Sequence, residues 1–131
     1  MGNTDSKSIM PKKKILVVDD EPDILKLVEW QLMISGYDVL TAQSGMEGLK
    51  KAREERPDLI ILDVIMPIRE MNGVQMNEHL KNDESTKRIP VILFTGMVDK
   101  DETVDDHGTV MFPKSVSSEK LLKKIKEMIS K

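Results

Sequence analysis

Three short runs of this chain, Ile15-Leu16-Val17-Val18, Leu59-Ile60-Ile61-Leu62 and Val91-Ile92-Leu93-Phe94, are apolar at every position. A strand with one wet face alternates polar and apolar residues; one covered on both faces does not. The runs therefore predict central strands of a parallel sheet with helices on either side. Asp38-Val39-Leu40-Thr41 and, more weakly, Thr109-Val110-Met111-Phe112 predict two further strands. Between them lie helical patterns with recognisable ends. Pro22 opens the first, where its missing N–H costs nothing, and Gly36 stops it. Ile24, Leu27, Val28 and Gln31 share one face of it, which Leu25 and Leu32 widen. Ser44-Gly45-Met46-Glu47 has capping-box spacing and opens a second helix that ends before Pro57. A third spans about residues 73 to 82, and a last one residues 117 to 130, with Leu121, Leu122, Ile125, Met128 and Ile129 on one stripe. Strand alternating with helix means an α/β doubly wound sheet with right-handed crossovers.

The chain has 131 residues, one domain's worth. Residues 1–11 read as a loose tail and 12–131 as the domain. The net charge of −3 leaves no electrostatic footprint for nucleic acid, and the lysines at 12 to 14 and in the last helix read as solvated surface. There is no Cys, so disulfides and thiolate chemistry are excluded, and a reducing compartment is the easy fit. No apolar run is long enough to span a bilayer, and the polar N-terminus is no signal peptide, so a cytoplasmic protein without membrane contact is expected. Trp30 and the Met residues are expected to be packing, and His79 and His107 surface.

In a doubly wound sheet the ligand site lies beyond the carboxyl ends of the strands. Asp19-Asp20 follow the first strand here, Asp63 the third, Thr95-Gly96 the fourth and Lys114 the fifth. Any one of these alone is a turn former, a cap or a surface lysine. Together they must share one crevice, where neighbouring carboxylates repel by about 4 kcal/mol per pair at 4 Å and an effective dielectric near 20. Such a cluster calls for a cation. Oxygen-only ligands suit a hard ion, and a partly hydrated Mg2+ linked to phosphate is the best candidate. A lysine and a hydroxyl facing it can neutralise and orient a phosphoryl group, and a carboxylate can be the nucleophile.

The stretches from Ile15 to Pro22, from Leu59 to Pro67 and from Pro90 to Gly96, followed by Lys114, resemble a receiver domain of two-component response regulators, of the chemotaxis-receiver kind, over about residues 12 to 131. The resemblance implies a flavodoxin-like receiver fold, a five-stranded parallel sheet in the order 2-1-3-4-5. It implies that Asp63 is the phosphoacceptor and that Asp19, Asp20, Asp63 and the backbone carbonyl of Ile65 hold Mg2+. Thr95, the backbone N–H of Gly96 and Lys114 would contact the phosphoryl oxygens, and Thr95 and Met111 would form the switch. The donor would be a histidine kinase or a phosphotransfer protein, and the output a downstream protein target that the sequence does not name.

Three departures from the family pattern stand out. The loop after Pro67 is longer than usual; the stretch between Thr95 and Lys114 is short and acidic, so a shortened fourth helix is expected. Pro113 precedes Lys114 where the family has Pro after its Lys, and is tolerable if the fifth strand is a sheet edge. Two other functions compete. A degenerate receiver would bind partners without phosphorylation, which the intact Asp19, Asp20, Asp63, Thr95 and Lys114 oppose. A phosphatase of the haloacid-dehalogenase kind needs Asp-x-Asp after its first strand, and this chain has Asp19-Asp20-Glu21. A phosphoacceptor domain that turns over only its own phosphoryl group, and is otherwise not an enzyme, is therefore the expectation.

Overall fold

The computed structural model describes residues 12–63, 72–95, 103–104, 109–113 and 117–129, the side chains of residues 95, 103 and 104 excepted. Chain order runs β1 (Lys14–Val18), α1 (Pro22–Ile34), β2 (Asp38–Ala42), α2 (Gly45–Glu55), β3 (Leu59–Asp63), α3 (Gly73–Lys81), β4 (Val91–Thr95), β5 (Thr103–Val104), β6 (Val110–Pro113) and α4 (Ser118–Ile129). Five strands are parallel in the order β2-β1-β3-β4-β6, as the sequence predicts, and β5 adds antiparallel to the outside of β6.

Alternate residues of the central strands point to opposite faces. Leu16, Val18, Ile60, Leu62, Val91 and Leu93 pack with Leu49, Ala52, Met76 and Leu80 from α2 and α3. Ile15, Val17, Leu59, Ile61 and Ile92 pack with Leu25 and Leu32 from α1 and Leu121 and Ile125 from α4. All five residues of β3 are buried, which explains its unbroken apolar run. At Gly48 on α2 an added Cβ would lie 2.8 Å from Met76 Cε and 2.9 Å from Val18 Cγ2, so glycine is what lets the helix approach both.

The structure corrects several details. The buried line of α1 is Leu25 and Leu32, with Ile24 and Val28 half-buried. Leu27, expected inside, is 56% exposed, and Trp30, expected as packing, is 63% exposed. The cause is helical phase: the two best-buried leucines are seven residues apart, and Trp30 falls opposite them. In the stretch where a short fourth helix is expected, residues 103–104 are extended, as two β-branched residues favour, and the rest of that stretch, 96–102 and 105–108, lies outside the described residues. The β6 strand is therefore not the edge: β5 pairs with Met111 and Val110, and the chain that would continue this register toward Pro113 lies outside the described residues. Ser44 Oγ accepts the Glu47 N–H as expected, but the Glu47 carboxylate reaches back to Gln43 N–H rather than to Ser44, and with Lys51 this holds its carboxyl below the usual range. A full capping box forms instead at α3, where Asn72 and Gln75 exchange side-chain to backbone bonds of 2.9 and 3.0 Å. No helix among the described residues is long and apolar enough to cross a membrane.

Candidate phosphoacceptor and metal site

Asp63 is the last residue of β3, and Asp19 and Asp20 follow β1, its parallel neighbour, so pairing in register through Val18 and Leu62 brings the three acids to one end of the sheet. One carboxylate oxygen from each lies within 4.8 Å of the others. Asp19 and Asp63 are 3% and 2% exposed, while Asp20 is half-buried. The Glu21 N–H donates to Asp19 Oδ1 at 3.0 Å, and the Asp19 N–H donates to the Ala42 carbonyl at 3.1 Å. Asp19 is thus fixed by backbone on both sides, with one oxygen already engaged. Asp20 is free of that constraint and faces outward enough to meet a partly hydrated ion. Charges this close repel by about 3 to 4 kcal/mol per pair at an effective dielectric near 20, and an all-oxygen donor set suits a hard cation such as Mg2+.

Thr95 ends β4, with its backbone in register with Pro113 of β6. The backbone therefore carries it, and the residue before Lys114, to the rim that holds the acids. Ile65, Gly96 and Lys114 lie outside the described residues, as does His107; His79 is exposed. Met111 is half-buried, opposite Leu93 on β4 and Thr103 on β5, and packs against the α2–α3 side of the core.

Two features were not anticipated. A pocket of about 260 Å³ opens beside Asp19 between α1 and α4, lined by Ile24, Leu27, Val28, Gln31 and Phe94 among others. Gln31 Nε2 donates to Ser118 Oγ at 3.1 Å across its far wall. Next to it, Leu27, Trp30 and Ile34 form a solvent-facing apolar stripe at i, i+3 and i+7. That spacing was visible in the sequence; its outward phase was not.

The family model described as the response regulator receiver domain matches residues 15–126. The alkaline phosphatase synthesis transcriptional regulatory protein PhoP of Bacillus subtilis is 45% identical over 93 residues, 71% of this chain and 36% of that protein. The polar-differentiation response regulator DivK of Brucella ovis is 38% identical over 88 residues, 67% of this chain and 70% of DivK. This chain thus spans little more than a third of PhoP's length. Among solved structures, the Vibrio cholerae chemotaxis protein CheY4 superposes with a TM-score of 0.75 at 31% identity, covering 90% of this chain and 99% of that one. The receiver domain of the hybrid histidine kinase CckA gives 0.74 at 28% identity, covering 88% and 98%. Motif, sheet order, acidic rim and relatives agree, and the chain belongs to the response regulator receiver domain family.

Proposed function

We propose that the chain accepts a phosphoryl group on Asp63 from a phosphohistidine protein and signals by binding a downstream protein. The observation that carries this reading is the meeting of Asp19, Asp20 and Asp63 at the carboxyl end of adjacent strands, two of them buried. Asp63 Oδ attacks phosphorus as the donor's N–P bond breaks, and the released imidazole keeps its electron pair and takes up a proton. Bound Mg2+, held by Asp19, Asp20, Asp63 and the Ile65 carbonyl, would neutralise charge on the transferring oxygens. Thr95, Gly96 N–H and Lys114 would bind those oxygens. The pocket beside Asp19 and the stripe on α1 would seat the donor, in the cytoplasm, with no turnover of any other substrate.

Incubation with acetyl phosphate and Mg2+, followed by intact-mass analysis, should show one phosphoryl adduct, absent in Asp63→Asn. An adduct that persists in that variant removes the assignment; no adduct on the wild type favours a phosphorylation-independent binding module instead. Because Asp19 already spends an oxygen on Glu21 N–H, Mg2+ affinity should fall further in Asp20→Asn than in Asp19→Asn. A titration in which Asp20→Asn binds Mg2+ like wild type would refute the ligand set.

A further inference from the structure

Asn77 on α3 is 6% exposed, and its helix neighbours Met76 and Leu80 are both fully buried. Its Nδ2 donates to Oγ1 of Thr109, itself 1% exposed, at 3.2 Å. Its Oδ1 is buried and has no hydrogen-bond partner among the described residues. Turning the amide over does not help, since it trades an orphan acceptor for an orphan N–H. A buried amide left half-paired is costly, and a packing that supplies the missing donor is correspondingly favoured.

The two elements that this amide joins both lead to the phosphorylation site. The α3 helix follows the segment after Asp63, and Thr109 immediately precedes β6, which runs to Pro113 opposite Thr95 and then to Lys114. Met111, two residues on from Thr109, packs on the same side of the core as Met76 and Leu80. A shift at either segment is carried along a helix or strand to the polar contact between Asn77 and Thr109.

We propose that Asn77 is the pivot of a two-state device: its half-paired amide biases the domain toward a second packing of α3 against β6, in which Oδ1 gains a donor and which the phosphorylated domain adopts. This rests on the phosphoacceptor reading above. The resting arrangement is the one with the orphan acceptor, so a ligand that selects the second arrangement gains affinity from filling it. Removing the amide removes that gain.

The test is the affinity for beryllofluoride, a phosphoryl mimic, measured with Mg2+ on wild type and Asn77→Leu, alongside Mg2+ affinity without beryllofluoride. The variant should bind beryllofluoride about fivefold more weakly or worse, the effect of one buried unpaired group, while its Mg2+ affinity stays unchanged. Beryllofluoride affinity within twofold of wild type overturns the inference, as does an equal loss of Mg2+ affinity, which would mean general damage. If Asn77→Leu does not fold, Asn77→Ala is read by the same criteria; if neither folds, the amide holds the fold itself and the inference is wrong. A wild type that binds no beryllofluoride sinks the phosphoacceptor reading, whereas equal binding by wild type and variant sinks this inference alone.

Discussion

On one side of the sheet, α2 and α3 bury Leu49, Ala52, Met76 and Leu80 and leave only Met46 and Val74 as large exposed apolar residues. On the other, α1 buries Leu25 and Leu32 and leaves Leu27, Trp30, Met33 and Ile34 each more than half exposed. The first side is closed by direct helix contact at Gly48, by the Arg53–Asp83 ion pair of 2.9 Å, and by Lys81 Nζ on the Ile89 carbonyl at 2.8 Å. The second keeps a pocket between α1 and α4, bridged by Gln31 and Ser118 at its wall. Both sides cover the central strands, since β1 and β3 are buried throughout apart from half-exposed Lys14. The apolar surplus on α1 is therefore not needed to cover β1 and β3. Leu27 of it lies beside Asp19 on the pocket between α1 and α4, whereas Met33 sits by Lys14 and Asp38 at the start of β1 and β2, and apolar side chains gathered on a surface mark a contact with another macromolecule.

The largest expected effect sets the two sides against each other. Met76→Ala should destabilise by about 2 to 5 kcal/mol, the range for emptying a fully buried site. Trp30→Ala should change stability by less than about 0.5 kcal/mol, as for surface substitutions generally. Denaturant melts of both variants decide it, and a Trp30→Ala loss as large as that of Met76→Ala would break the comparison.

A smaller effect sharpens the comparison from the functional side. Trp30→Ala should slow phosphotransfer from a cognate phosphohistidine protein about tenfold, equivalent to about 1.4 kcal/mol of docking free energy. Phosphorylation by acetyl phosphate, which needs no docking, should be unchanged. Equal slowing with both donors would mean that the substitution disturbs the acidic rim instead.

Much of this was legible in the residues. Continuous apolar runs mark β1, β3 and β4, and acids placed directly after two of them mark the rim. What stayed hidden depended on phase and on distant partners. Whether Leu27 or Leu25 faces the sheet differs by two helical positions, and both patterns look amphipathic. A lone tryptophan reads as core by composition, yet Trp30 sits opposite the buried line. The β5 strand has two residues and no period to read. Asn72-Gly73 looks like a turn, and only the bond from Gln75 reveals a cap. Asn77 reads as one more polar residue on a helix; its burial depends on Thr109, 32 positions away.

The smallest expected effect probes how the α2–α3 side is closed at its rim. Asp83 accepts hydrogen bonds from Ser85 Oγ at 2.7 Å and Ser85 N–H at 2.8 Å, and Arg53 Nε donates to its other oxygen at 2.9 Å. These contacts, the Ser85 hydroxyl foremost, pull its carboxyl down to about 2. A carboxyl with a depressed folded-state value contributes stability above its unfolded value near 4 and loses it as pH falls toward 2. Asp83→Asn should therefore lower the melting temperature slightly at pH 5 to 7 and converge with wild type near pH 2. The effect stays smaller than either of those above because the pair is at the surface, where solvent and salt screen it. Raising the salt concentration at neutral pH should narrow the same gap. A gap that persists unchanged at pH 2 and in high salt would mean that Asp83 acts by shaping the turn into Ser85 rather than by its charge, and the α2–α3 side would then owe its closure at this point to backbone geometry.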